Sequence, residues 1–313
     1  MNLYSQMIPT YHNPVLLDAC IDALAIQPSG TYVDLTFGGG GHSKAILNQL
    51  GPEGRLFAFD QDVDAQENRI DDQRFTLIAS NFRHLKAQLR FYGCKKVDGV
   101  LADFGVSSHQ FDTASRGFST RFDAPLDMRM NNQSGVTAAE VVNIYSADVL
   151  ARLFRTYADL KNAFAIAKAI VQGRANASID TTFELIEAIS SAIYVPKRNQ
   201  QLAQVFQALR IEVNKELEAI ESMLPQLIEV VALHGRIALM SYHSLEDRLV
   251  KNFIRSSRLD GEVQKDFFGN PQLYFKKIGK PIEASEEEVS MNSRARSAVL
   301  RVAERVEPKT MTS

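Results

Sequence analysis

The sequence predicts an α/β fold, a Rossmann-like, mostly parallel sheet interrupted by an inserted all-helical domain. Three observations lead to this prediction. The first 105 residues alternate short apolar runs with segments of helical spacing, residues 137–224 read as helical throughout, and strand patterns return from residue 236. Alternation of strand and helix favours a parallel sheet with right-handed crossovers.

The first half of the chain supplies four predicted strands and the helices between them. The apolar runs predict strands at 32–37, 55–60, 75–79 and 97–104, and helical spacing predicts helices at 43–50, 64–70 and 82–92. Residues 105–135 show no clean period because glycine, serine and proline interrupt them. Irregular segments of this length are usually functional or disordered.

The helical insert follows. Thr137 with Glu140, and Thr181 with Glu184, have the spacing of a capping box, and one apolar stripe continues across 202–224. The later strands are predicted at 236–241, 274–278 and 298–303, with a helix at 245–255. We therefore predict three segments, namely a first part of the α/β domain at 1–113, a helical insert for substrate recognition at 114–206 and a second part of the α/β domain at 207–313.

Composition excludes several classes of protein. A net charge of −2 excludes a globally basic nucleic-acid binder but permits a local basic face. Two distant cysteines, Cys20 and Cys94, and scattered histidines predict neither a disulfide framework nor a metal site. The first 25 residues lack Lys and Arg, unlike a signal peptide, and no apolar run approaches the ~20 residues that span a bilayer. We expect a soluble, cytoplasmic protein that does not bind membranes.

The turn after the first predicted strand is the most informative segment. Four glycines at 38–41 separate that strand from a helical pattern. Because glycine has no Cβ, such a turn lets the backbone approach a ligand closely. Asp60 ends the next predicted strand, where nucleotide-binding sheets place a carboxylate against the ribose hydroxyls. The pattern predicts an adenosine-containing cofactor, with a helix N-cap as the alternative role for Asp60.

The spacing of the glycines favours S-adenosylmethionine over a dinucleotide. Dinucleotide sites use G-x-G-x-x-G, whereas here Ser43 stands where the third glycine would be. Asp34 suits a ligand with an ammonium group, which S-adenosylmethionine has and NAD lacks; orienting the glycine turn is its alternative role. A turn that binds no ligand is disfavoured, because each glycine costs roughly 0.5–1 kcal/mol of chain entropy without an obvious structural benefit.

Seven ordered blocks extend the interpretation to the whole chain. They read TFGGGGHS from Thr36, LADFGVSS from Leu101, RGFS from Arg116, PLDMRM from Pro125, FQALRI from Phe206, SYHSLEDR from Ser241 and RARS from Arg294. Over residues 11–305 the chain resembles the bacterial ribosomal RNA small subunit methyltransferase H family. The resemblance implies a class I S-adenosylmethionine-dependent methyltransferase fold and methyl transfer to the exocyclic N4 of a cytidine in the decoding region of 16S ribosomal RNA, within the small ribosomal subunit.

The resemblance also implies site residues. Its cofactor contacts fall on Gly40, Gly41, His42, Asp60, Phe82, Asp103 and Gln110. We expect His42 to act through its backbone, and Phe82 either to stack on the adenine or to belong to the core.

Asp103 ends the fourth predicted strand, where amino-methyltransferases generally hold the acceptor for the amine proton. We expect it either to be catalytic or only to bond the loop or the cofactor. The candidate RNA contacts are Asp127, Arg129, His243, Arg294 and Arg296. Their alternatives are an internal ion pair for the first two, a helix cap for His243 and a solvated surface for the last two.

Three other functions compete with this interpretation. A DNA amino-methyltransferase is disfavoured because the chain lacks an Asp-Pro-Pro-Tyr sequence. A non-catalytic ribosome-assembly factor is disfavoured by the intact glycine turn with Asp60 and Asp103, and a dehydrogenase by the missing third glycine. The sequence does not decide whether the chain forms a homodimer.

Overall fold

The computed structural model describes residues 14–308, and the predicted domain ends at 1–13 and 309–313 lie outside them. The chain divides into two compact units. The sheet unit holds the described residues up to Asp60, Asp64–Phe104 and the described residues from Ser222 onward, and the helical unit holds Gln61–Val63 and Gly105–Glu221.

Within residues 14–308, seven strands form one sheet in the order β3-β2-β1-β4-β5-β7-β6. Strands β1 to β5 pair in parallel, while β7 is antiparallel to both β5 and β6. This confirms the predicted Rossmann-like, mostly parallel sheet. The strands are β1 Thr31–Asp34, β2 Arg55–Asp60, β3 Phe75–Ala79, β4 Val97–Asp103, β5 Val231–Ser241, β6 Phe275–Glu283 and β7 Val299–Arg305.

The order of the strands locates the ligand crevice. Strand β1 lies between β2 and β4, so the chain runs outward to one edge through β2 and β3 and then returns to the other side of β1. Ligands of open α/β sheets bind outside the carboxyl ends of the strands at such a switch point. The residues that end β1, β2 and β4 are Asp34, Asp60 and Asp103.

One described helix precedes β1, and the others lie between the strands. They are α1 Leu17–Leu24, α2 Gly41–Gln49, α3 Leu85–Phe91, α4 Ser108–Asp112, α5 Ala138–Ile144, α6 Ala147–Ala158, α7 Ala163–Arg174, α8 Thr182–Ile189, α9 Arg198–Asn214, α10 Glu216–Val230, α11 Ser244–Ser256 and α12 Glu286–Met291. The helix predicted at 64–70 is instead a 3₁₀ helix, Val63–Asn68, a form that short segments adopt readily. No helix in the described part of the chain combines the length and apolar character that crossing a membrane requires.

The helical unit has a core of its own. Residues of α5 to α9 bury a continuous apolar cluster that includes Leu150, Phe154, Ile166, Val205 and Leu209. Both predicted capping boxes are present, at Thr137 with Glu140 and at Thr181 with Glu184.

The predicted stripe at 202–224 is two helices, because Lys215 takes a left-handed conformation and ends α9. The side-chain amide of Asn214 donates to the carbonyl oxygens of Met128 and Arg210, which holds the chain at this break. The helical unit runs from Gly105 to Glu221, whereas the sequence placed the insert at 114–206. The difference at the C-terminal side follows from packing, since Leu209 and Val213 belong to the helical core.

Candidate cofactor and active site

The glycine turn is anchored from inside by Asp34. This residue is 1% exposed, and its carboxylate accepts hydrogen bonds from Thr36 N (3.1 Å) and Ser43 Oγ (2.7 Å). Burial raises the pKa of Asp34. The bond to Thr36 bends the chain, so β1 ends at Asp34 although a strand was predicted to 37. These contacts are those of the turn-orienting role rather than of a residue that faces a ligand.

The glycines of the turn are required partly by the protein itself. Gly40 has a φ of 75°, and a Cβ there would lie 2.8 Å from the ring of Phe37. A Cβ on Gly41 would lie 2.2 Å from Pro14. Gly40 and Gly41 are therefore needed for the close packing of Phe37 and Pro14, which is a structural reason for glycine that the sequence did not reveal. Their predicted contact with a cofactor stays a prediction.

The N-terminus of α2 follows the turn directly. Gly40 is its N-cap residue, and no described side chain caps the helix. The first N–H groups of a helix have no intrahelical acceptor, so an uncapped N-terminus favours a polar or anionic ligand group. The ring of His42 is buried, with Nε2 3.2 Å from the carbonyl oxygen of Val15. The ring is thus engaged within the protein, and the predicted contact of the His42 backbone with a cofactor stays a prediction.

Asp60 holds the turn from the neighbouring strand. Its Oδ2 accepts a hydrogen bond from Gly38 N (2.8 Å), and Asn68 Nδ2 donates to the carbonyl oxygen of the same glycine (3.0 Å). The turn and the carboxylate predicted to bind the ribose are thus joined directly. The sequence did not identify Asn68, which lies in the 3₁₀ helix after β2.

Asp103 is the carboxylate that ends β4, and its surroundings raise its pKa. Its backbone N–H donates to Thr36 Oγ1 (2.7 Å), and its side chain bonds to the hydroxyl of Tyr242. Its Oδ1 is buried and has no hydrogen-bond partner among the described residues. Burial, with smaller contributions from Asp34 and Glu246, raises the pKa of Asp103 to about 6. A buried oxygen of this kind fits a proton acceptor.

The residues after β5 complete the surroundings of Asp103. Burial, followed by the nearby charge of Asp103, raises the pKa of Tyr242 far above its usual value, so this hydroxyl remains a donor. The carboxylate of Glu246 accepts from Tyr242 N (2.9 Å) and lies 3.1 Å from His243 Nε2. His243 is the N-cap residue of α11, and its backbone N–H donates to Glu246 Oε2 (3.4 Å). Its predicted place in a base pocket stays a prediction. Tyr242 belongs to the SYHSLEDR block, but nothing in the sequence around it indicated a bond to Asp103.

Phe82 follows β3, two residues after Ser80. Its ring packs against Phe104 with a centroid distance of 5.9 Å and an interplanar angle of 51°. Phe104 is buried while Phe82 is only partly buried. The ring thus combines a core contact with an accessible part, and adenine stacking stays a prediction.

The other predicted cofactor contact, Gln110, belongs to the helical unit. Its Nε2 donates to Asp62 Oδ2 (2.7 Å) and its Oε1 accepts from Ser107 N (3.1 Å). Asp62 also forms a buried ion pair with Arg116, with Nη2 2.9 Å from Oδ2. Gln110 is therefore part of an internal network, whose charged members the sequence did not predict.

The candidate RNA contacts are dispersed along the chain. Arg129 and Asp127, in the helical unit, form the internal ion pair named as their alternative, with 2.7 Å between Nη2 and Oδ2. Arg294 and Arg296 lie in the 3₁₀ helix Ser293–Ser297 of the sheet unit, and Arg296 is exposed. Among the residues at 14–308, no group of three or more His, Cys, Asp or Glu side chains is arranged to hold a metal ion.

The family model and two relatives that match this chain are all named as methylases or methyltransferases. The family model described as MraW methylase family matches residues 9–306. The Ribosomal RNA small subunit methyltransferase H of Christiangramia forsetii is 57% identical over 296 residues, which cover 95% of this chain and 98% of that protein. The protein of the same name from Bacteroides fragilis is 50% identical over 297 residues, with 95% and 98% covered.

Solved structures resemble the chain more distantly. The structure of an rRNA methylase from Streptococcus thermophilus aligns with 93% of this chain and 94% of that chain, at 13% identity and a TM-score of 0.37.

Proposed function

Because the chain belongs to the MraW methylase family, we propose that it transfers a methyl group from S-adenosylmethionine to the exocyclic N4 of a cytidine in 16S ribosomal RNA of the small ribosomal subunit. The names of relatives that are 50–57% identical support ribosomal RNA of the small subunit as the substrate. Within the structure, the proposal depends on one observation, the buried Oδ1 of Asp103, which has no hydrogen-bond partner within residues 14–308. Such a substrate places the reaction in the cytoplasm.

The site fits S-adenosylmethionine. The uncapped N-terminus of α2 offers the backbone N–H groups of Gly41 and His42, Asp60 offers a carboxylate for the ribose at the end of β2, and Phe82 offers a partly accessible ring. These are the groups that would hold the cofactor. When bound, S-adenosylmethionine supplies an electrophilic methyl group on a sulfonium.

The protein's own residues accept the proton of the reacting amine and release it again. The amino group of cytosine is a poor nucleophile because its lone pair is delocalised into the ring, so its N–H needs a positioned acceptor. Asp103 Oδ1 accepts that hydrogen bond and takes the proton that the nitrogen releases as it gains the methyl group. Tyr242 and Thr36 keep Asp103 in place by bonding to its side chain and its backbone N–H. The proton afterwards returns to water from the carboxyl group.

Replacing Asp60 should weaken cofactor binding. Asp60→Ala removes both the ribose acceptor and the bond to Gly38 N, and hydrogen bonds to a charged group are worth about 1.5–3 kcal/mol. We therefore expect the dissociation constant for S-adenosylmethionine to rise about 10- to 100-fold by calorimetry, with a smaller rise for Asp60→Asn. The exposed Glu53→Gln serves as the control. An Asp60→Ala protein with unchanged affinity would remove the ribose role.

Replacing Tyr242 should shift the pH dependence of the reaction. The Tyr242 hydroxyl bond lowers the pKa of Asp103, so Tyr242→Phe raises that pKa further. Because the ionised carboxylate is the acceptor, the acid limb of kcat/KM against pH should move to higher pH, while turnover at alkaline pH stays near that of the wild type. Tyr274→Phe, before β6, is the matched control. Superimposable profiles for Tyr242→Phe and wild type would contradict this coupling.

The function itself is tested by mass spectrometry of small-subunit RNA from cells that lack the gene. We expect N4-methylcytidine to disappear, and to return with the wild-type gene but not with Asp103→Asn. Purified enzyme should methylate small-subunit RNA and not DNA, which separates it from a DNA amino-methyltransferase. Failure to bind S-adenosylmethionine by calorimetry would favour a non-catalytic assembly factor instead.

A further inference from the structure

A groove with many basic side chains in its lining lies in the sheet unit, and the carboxylates of Asp34, Asp60 and Asp103 do not line it. It has a volume of about 640 Å³ and is lined by residues of α11, β6 and β7 and of the segment before β6. Apolar side chains such as Ile254, Leu273 and Val302 contribute to its lining. Among the described residues that line it, one is acidic, Glu307, and six are basic, namely Lys251, Arg255, Lys276, Lys277, Lys280 and Arg301. Of these, Arg301 is paired with Asp247.

A turn that presents two phenylalanines begins at the edge of this groove. Pro271 lines the groove and pairs with Lys265 in an isolated bridge, and the chain between them forms the tip, residues 266–270. At this tip Phe267 is 98% exposed and Phe268 is 69% exposed. Their rings meet edge to face at a centroid distance of 5.5 Å.

The backbone of the tip is held by one carboxylate. Asp266 Oδ1 accepts from Phe268 N (2.9 Å) and from Asn270 N (2.8 Å), and the backbone N–H of Asp266 donates to the carbonyl oxygen of Asn270 (2.9 Å). The negative charge at the tip is thus engaged by backbone donors. The two rings are presented to solvent on a turn whose backbone is already ordered, which lowers the entropy lost when they bind a partner.

Protection of the sheet edge explains only part of this arrangement. Strand β6 is the outer strand of the sheet, and lysines and prolines such as Lys277, Lys280 and Pro281 discourage pairing with another chain at an edge. Two exposed phenylalanines beside that edge have the opposite effect, since exposed apolar groups promote association. Their presence together with the lysines indicates a binding partner that needs both.

We propose that the tip at 266–270 and the basic groove form a second RNA-binding surface, which takes an unpaired segment of the ribosomal RNA outside the segment that carries the target base. In this surface Phe267 and Phe268 stack on bases, and the lysines of β6 contact phosphates. Aromatic platforms beside a basic groove are the combination that binds single strands without sequence readout, and the excess of cations complements a polyanion. The inference rests on the function proposed above, because it takes RNA as the substrate.

The test compares full-length variants for binding to a fluorescent 12-nucleotide polyuridine by anisotropy. We expect F267A/F268A to raise the dissociation constant about 10-fold or more. The variant K276Q/K277Q/K280Q should reduce the slope of log affinity against log salt by about 2, since each phosphate contact on a single strand contributes about 0.7. Phe91→Ala is the matched control, because Phe91 is 81% exposed, meets an aromatic neighbour edge to face and precedes Lys95 and Lys96 in the sequence by a few residues. It should bind like the wild type.

Calorimetry with S-adenosylmethionine and the thermal midpoint should be unchanged in all three variants. The proposal is overturned if both surface variants bind polyuridine like the wild type, or if Phe91→Ala loses as much affinity as F267A/F268A. Loss of methylation on intact subunits with unchanged binding to polyuridine would also overturn it and would assign the surface to a ribosomal protein. If the wild type methylates small-subunit RNA and these variants match it, only this surface is rejected. If the wild type does not methylate RNA, the proposed function is rejected.

Discussion

Asp103→Asn is expected to lower the turnover of methyl transfer by about 10²- to 10⁴-fold, the range that a positioned general base contributes. Asparagine keeps the size of the side chain and an acceptor for the Tyr242 hydroxyl, but it cannot take up a proton at the position of Oδ1. Affinity for S-adenosylmethionine should change much less than turnover. Calorimetry and single-turnover kinetics on the same preparation separate the two effects.

The pH dependence of the wild-type enzyme provides an independent check. Burial raises the pKa of Asp103 to about 6, and in the proposed reaction the ionised form accepts the proton. Activity should therefore rise as pH increases through about 6 and then reach a plateau, and it should be lost as pH falls below that value. The Asp103→Asn enzyme should lack this acid limb. Near-wild-type turnover of the variant, or an acid limb that it retains, would limit Asp103 to bonding the turn or the cofactor.

The features of the site that were predictable are those encoded in short stretches of sequence. The predicted strands at 55–60 and 75–79 coincide with β2 and β3, because each is a compact apolar run. Since parallel strands present their carboxyl ends at one edge of a sheet, Asp60 and Asp103, which end predicted strands, belong to that edge. In the structure, Asp60 accepts a hydrogen bond from Gly38 N, and Asp103 N donates to Thr36 Oγ1, so both residues bond to the segment that follows β1.

The features that were not predictable depend on contacts between residues far apart in sequence. The bond between Tyr242 and Asp103 joins the ends of two strands that the helical unit separates along the chain. The need for glycine at Gly41 arises from Pro14, and no local pattern reports that neighbour. The 3₁₀ form of Val63–Asn68 and the break at Lys215 are likewise set by local hydrogen bonds and packing rather than by apolar periodicity.

The buried pair of Arg116 and Asp62 is the strongest case of such a contact, and Arg116→Met is expected to destabilise the helical unit by about 3–5 kcal/mol. In the wild type the guanidinium donates to Asp62 and to the carbonyl oxygens of Arg129 and Met130 (both 2.9 Å). Both side chains are at most 8% exposed. Methionine fills a similar volume, but the buried Asp62 carboxylate loses the guanidinium that compensates its charge. The two carbonyl oxygens also lose this donor.

Urea unfolding followed by far-ultraviolet circular dichroism measures this loss, because the helical unit contributes much of the helix signal. The double variant D62N/R116M should recover part of the stability, since replacing both members of a buried pair costs less than exposing one of them to an apolar interior. Arg258→Met is the control, because Arg258 pairs with Asp260 on the surface and such pairs contribute little. If R116M unfolds at the same urea concentration as R258M, the ion pair does not hold the segments at Asp62, Gln110 and Met130 together, and the apolar cluster of α5 to α9 must do so alone.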